Sequence, residues 1–184
     1  LLALSAAGAT GSSTARAPSA SDRRPAILDR DLRAYFETKG SGERVRGLII
    51  YSRSGGMAEL AAAVAEGLRA ASFQVELKAA DEGAGPISVA PFDVVCVGSP
   101  VLGFFGGGYA PDVDVALKRC TRMEGKRAAV FVKPKLFGTT KALRRLMGLL
   151  EREGAWVQDF AAVNGRREAE RFGRRLEALV KKAP

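Results

Sequence analysis

Residues 45–68, VRGLIIYSRSGGMAELAAAVAEGL, set three kinds of sequence end to end. Val45, Leu48, Ile49, Ile50 and Tyr51 form an apolar, β-branched run too short for a helix, the pattern of a strand buried on both faces. Ser52-Arg53-Ser54-Gly55-Gly56 is a turn rich in hydroxyls and glycine, and beyond it Leu60, Ala61, Val64 and Leu68 recur at helical spacing on an alanine-rich background. The turn therefore lies between the carboxyl end of a strand and the amino end of a helix. A helix's first turn leaves N–H groups without partners and carries partial positive charge. Two adjacent glycines let the main chain close round a phosphate with no Cβ in the way. Ser52 and Ser54 add neutral donors. The same residues also suit a plainer role, with Ser54 capping the helix and the glycines making a tight turn.

Composition narrows the chemistry. The 184 residues, 47% of them hydrophobic, leave room for one α/β domain of about 140 residues and an extension. With no histidine in the chain, Ser-His-Asp and Cys-His nucleophiles and the usual zinc sites are excluded, so redox chemistry requires a bound cofactor. Cys96, inside a strand-like run, and Cys120, at the end of a predicted helix, read as reduced packing residues of a cytoplasmic protein. The formal charge is +9, concentrated between Lys118 and Arg145, where Glu124 is the one acid, and in the last helix with Arg166, Arg167, Arg171, Arg174, Arg175, Lys181 and Lys182. Neither region interleaves aromatics with its charges, so a solvated basic face is expected rather than a nucleic-acid surface; an acidic protein partner or an anionic surface stays open.

Along the chain, residues 1–26 are mostly Ala, Ser, Gly, Arg and Pro and read as a disordered or targeting-like extension. Residues 27–44 carry the stripe Leu28, Leu32, Tyr35 and Phe36, an added helix and linker. Residues 45–184 contain five strand patterns alternating with helices: the run at Val45, then Phe73–Leu77 as an edge strand, Phe92–Gly98, Ala128–Val132, and a fifth within Ala155–Val163. That alternation predicts a doubly wound parallel sheet, with ligands at the strands' carboxyl ends. Two later loops face that end. Ser99 to Tyr109 puts apolar and aromatic residues on a glycine-rich backbone, and Lys133 to Thr140 carries Phe137 and Gly138.

The turn after strand one, Val97-Gly98-Ser99-Pro100 after strand three, and Gly125-Lys126-Arg127-Ala128-Ala129-Val130-Phe131 leading to a glycine-containing loop make residues 45–181 resemble a short-chain domain of the flavodoxin family. The resemblance implies a three-layer sandwich with a five-stranded sheet in the order 2-1-3-4-5. It implies FMN as cofactor, its phosphate in the first loop and its ring between the next two. The implied cofactor-binding residues are Ser52, Arg53, Ser54, Gly55, Gly56 and Met57; Ser99, Pro100, Val101, Leu102, Gly103 and Phe104; and Phe137, Gly138 and Thr139. No catalytic side chain is implied, because the flavin carries the chemistry. The resemblance points to electron transfer, as a carrier with a redox partner protein or as an NAD(P)H-dependent reductase of a small acceptor. A cofactor-free binding or regulatory module, or an enzyme for another phosphorylated small molecule, is the alternative.

Two departures bear on this. Met57 stands where the family's loop commonly has a second Thr, a hydroxyl donor worth about 1–2 kcal/mol to an anion. The chain is also basic, whereas electron-shuttling flavodoxins are typically acidic. A lysine such as Lys133 or Lys135 at about 7 Å from the ring, with an effective dielectric near ~20, favours an anionic reduced flavin by on the order of 2 kcal/mol. With both lysines exposed, the expectation is a potential raised by about 50–100 mV.

Overall fold

A computed structural model describes residues 44–103 and 107–181. The extension, the added helix and Phe104 lie outside the described residues. The elements run β1 (Arg46–Tyr51), α1 (Met57–Ala70), β2 (Gln74–Ala79), β3 (Ile87–Ser88), β4 (Val94–Pro100), α2 (Pro111–Lys118), β5 (Cys120–Thr121), β6 (Arg127–Lys133), α3 (Thr139–Arg152), β7 (Trp156–Ala162), α4 (Arg166–Arg175) and α5 (Glu177–Lys181).

The five long strands form one sheet in the order β2-β1-β4-β6-β7. Every pairing in it is parallel. Counting only the long strands, this is the expected order 2-1-3-4-5. Two details differ from the sequence reading. The loop at 81–91 contains β3, which pairs with β5 in a separate two-stranded sheet, and Cys120 belongs to that β5 rather than to a helix end. Two-residue strands carry no periodicity, so the chain offers no local sign of them.

Strand side chains alternate between two cores, as a sheet covered on both faces requires. Leu48, Ile50, Val95, Val97, Ala128, Val130 and Val132 face α2 and α3. Ile49, Val94, Cys96, Ala129 and Phe131 face α1 and α4. Gly98 is paired in register with Phe131, and a Cβ on it would fall on the Phe131 ring, so the strand gives up a side chain to seat a large aromatic. On the same side α1 and α4 meet backbone to backbone. A Cβ on Gly67 would collide with the Glu170 carbonyl and one on Gly173 with the Val64 carbonyl.

Burial raises the Cys96 thiol's pKa, with the Asp159 carboxylate adding to it, and pushes that of Cys120 up to about 11. Both therefore stay protonated and unreactive at neutral pH, as packing residues would. No helix among the described residues is long and apolar enough to cross a membrane, and no cluster of potential metal ligands occurs among them.

Candidate functional site at the carboxyl end of the sheet

The strands' parallel order brings three loops to one end of the sheet: residues 52–56 after β1, 101–103 and 107–110 after β4, and 134–138 after β6. In the first, Ser54–Gly56 makes a single 3-10 turn, with Gly55 at φ 66° and Gly56 at φ 73°. Both are left-handed values that a residue with a Cβ pays to adopt. Gly56 is the N-cap of α1 and offers no side-chain acceptor, so the first-turn amides of a 14-residue helix are left without a side-chain cap. Ser54 does not cap the helix. Its Oγ lies 2.8 Å from Ser52 Oγ, and its N–H donates to Ser52 Oγ at 3.2 Å.

Two residues distant in sequence complete this loop. The buried Ser52 hydroxyl donates to Asp112 Oδ2 at 2.7 Å, from the first turn of α2. Lys133, at the end of β6, donates from Nζ to the Gly55 carbonyl at 2.8 Å, and its ammonium stands 3.1 Å from where a Cβ on Gly56 would be. Lys133 thus belongs to the glycine loop and not to the ring side expected of it. Arg53 is turned toward the end of β2 by an exposed ion pair with Asp81 at 3.1 Å. Met57 is fully buried among the residues of the α1–α4 core. Its side chain continues the Leu60, Ala61 and Val64 stripe by one helical turn instead of facing the loop.

The second loop is tied down by its own groups. Ser99, fully buried, accepts from the Ala110 N–H at 2.8 Å and donates to the Pro100 carbonyl at 3.1 Å, so its hydroxyl is spent inside the protein. Val101 is a core residue whose N–H extends the ladder to the Lys133 carbonyl. Leu102 and Gly108 close the loop through two hydrogen bonds, of 2.8 and 2.9 Å. Tyr109 anchors the return by donating to Asp114 at 3.2 Å; burial and that carboxylate raise its phenol above the usual range. Pro100 touches the first loop, since a Cβ on Gly55 would stand 2.8 Å from Pro100 Cβ.

The third loop presents apolar surface. Leu136 is 88% exposed and Phe137 54%, while Thr139 spends its hydroxyl on the Lys135 carbonyl at 3.1 Å. Gly138, at φ 85°, caps α3 and lies so close to Gly107 that a Cβ on it would stand 2.7 Å from the Gly107 Cα. Beside this contact is a cleft of about 340 Å³ lined, among the described residues, by Gly103, Lys135, Leu136 and Phe137. Its volume falls at the small end of the range for ligand sites.

The structure thus gathers Ser52, Ser54, Gly55 and Gly56 in one loop, and Gly103 and Phe137 at one cleft. It sends Met57 and Val101 into the core, Arg53 toward β2, and the hydroxyls of Ser99 and Thr139 into internal bonds. Sequence reading missed Asp112, 60 positions from its partner, because an acid beside a helix-opening proline is fully explained by the helix dipole.

No protein-family model and no curated protein sequence matches the chain. Solved structures do. Oxidised flavodoxin 1 from Bacillus cereus is similar with a TM-score of 0.57 at 19% identity, over 76% of this chain and 99% of that one. Oxidised flavodoxin 2 from the same organism gives 0.54 at 22% identity, over 76% and 100%. The Flv1 flavodiiron core from Synechocystis sp. PCC6803 gives 0.57 at 18%, over 85% of this chain and 41% of that one. Strand order, loop placement and these likenesses agree: the chain has the flavodoxin fold.

Proposed function

We propose that this chain binds FMN and serves as an electron carrier. What supports the reading is the loop at 52–56, where exposed glycine backbone, α1 amides without a side-chain cap and the Lys133 ammonium lie together in a fold shared with flavodoxins. That donor set suits a phosphate monoester: backbone N–H groups hold its oxygens and Lys133 offsets its charge. The cleft at Gly103, Leu136 and Phe137 offers an apolar slot for a flat ring, with Lys135 at its rim. FMN would supply the electron chemistry when bound. The chain's own residues anchor, enclose and present it.

Absorbance of the purified protein, before and after adding FMN and desalting, tests this directly. Retained yellow flavin is the expected result, and a folded, colourless protein after desalting rejects it. Adding NADPH without oxygen separates the sub-readings: a carrier is not bleached until a separate reductase is supplied.

One observation favours the cofactor-free alternative. Asp112 places a carboxylate on the Ser52 hydroxyl, where a phosphate would meet like charge. The two readings divide on Asp112→Asn. In a flavin protein it tightens FMN by about three- to tenfold; in a module that has lost its cofactor it restores no uptake.

A further inference from the structure

We propose that the third loop and the first turns of α3 form a docking surface for an acidic protein partner, the source or sink of the electrons. The electrons rest on the flavin reading above; the surface does not.

Leu136 and Phe137 are two large apolar side chains adjacent in sequence and both exposed, at the tip of the loop that borders the cleft. Cations surround them. Lys135 lines the cleft, Lys141 stands against Gly107 at the junction of the second and third loops, and Arg144 is exposed on the next turn. Arg145 reaches the Gly107 carbonyl at 3.4 Å. From Arg127 to Leu150 the sequence contains no acid. Among the described residues, Lys135, Lys141 and Arg144 take part in none of the ion pairs. Helix α4 carries more arginine, and there Arg166 is held by Glu66 at 2.6 Å and Glu170 at 2.9 Å and Arg175 by Asp159 at 2.7 Å, while Arg167, Arg171 and Arg174 are in none of the ion pairs among the described residues.

Among the described residues, no carboxylate pairs with Lys135, Lys141 or Arg144 beside Leu136 and Phe137. An apolar centre ringed by one sign of charge is how a transient interface is built. The centre excludes water, and the rim steers a partner of opposite sign. A lipid surface fits less well. The apolar residues of α3, Leu143, Leu146, Leu149 and Leu150, are buried under the helix, which leaves no apolar stripe to enter a bilayer.

The test titrates the full-length chain, as purified, with an oxidised acidic [2Fe–2S] ferredoxin of the plant type by calorimetry, at about 20 mM and about 200 mM salt. Two double charge reversals are compared, Lys141→Glu with Arg144→Glu on the proposed surface, and Arg167→Glu with Arg171→Glu on α4; they change net charge equally. The expected result is salt-sensitive binding that the α3 pair weakens by about tenfold and the α4 pair by less than about twofold. No binding, or equal loss in both variants, overturns the proposal. So does preferential binding to phosphatidylglycerol vesicles that depends on Lys141 and Arg144. FMN uptake is read separately by absorbance. A chain that binds the ferredoxin at α3 but takes up no flavin keeps this surface and loses the carrier reading, and the reverse result does the opposite.

Discussion

The first and third loops sit at the same end of the same sheet and are built on opposite plans. In the first, the polar groups satisfy one another: Ser52 joins Ser54 and Asp112, Lys133 joins the Gly55 carbonyl, and the glycines take left-handed angles to allow it. In the third, the conspicuous side chains, Leu136 and Phe137, face outward beside an exposed lysine. A loop whose groups are held in place is pre-organised to grip a ligand. One with exposed apolar and charged side chains suits the larger partner proposed for it. The difference separates holding from presenting, and each half can be altered without the other.

Gly55→Val breaks the holding half most severely. It imposes a Cβ on a left-handed residue, costing about 1–2 kcal/mol, and drives that carbon into Pro100. FMN affinity, measured by fluorescence quenching, is expected to fall by more than about tenfold. Lys133→Met keeps the stem and removes the charge, and the expected loss is about fivefold, largest at low salt. An unchanged affinity would mean that the ammonium braces the loop without helping it hold an anion.

Lys135→Gln sharpens the contrast from the other side. With Lys133 committed to the glycine loop, Lys135 alone of the two remains at the cleft, so the expected rise in potential is about half that of a pair. The substitution should lower the flavin's reduction potential by about 25–50 mV and leave FMN affinity nearly unchanged. Loss of affinity with no shift in potential would place this lysine in the holding half.

What could be read from the chain follows from how far each interaction reaches along it. The strands announce themselves because Leu48, Ile49 and Ile50, or Val94 to Val97, are buried together and bring their own apolar runs. The glycine loop is legible for the same reason: its strand, turn and helix are contiguous. The resemblance assigns Met57 to the cofactor loop, although it lies three, four and seven positions before Leu60, Ala61 and Val64 and shares their buried face. The partners that complete the loop could not be read. Asp112 and Lys133 reach Ser52 and Gly55 across 60 and 78 positions, and each has an ordinary local role, one opening a helix and the other closing a strand. Ser99 shows the reverse. Its place after a buried strand suggests a ligand hydroxyl, yet only the folded loop reveals that Ala110 and Pro100 have claimed it.

The contact between Gly67 and Gly173 reaches further than its position suggests. With main chain against main chain, α1 can neither roll nor slide along α4 without opening a gap. The direction in which the first amides of α1 point is thereby tied to α4, whose first residue Arg166 lines the same cleft as Gly56 and Lys133. Whatever parts the two helices, a Cβ on either glycine above all, would turn the loop at 52–56 without altering a residue in it.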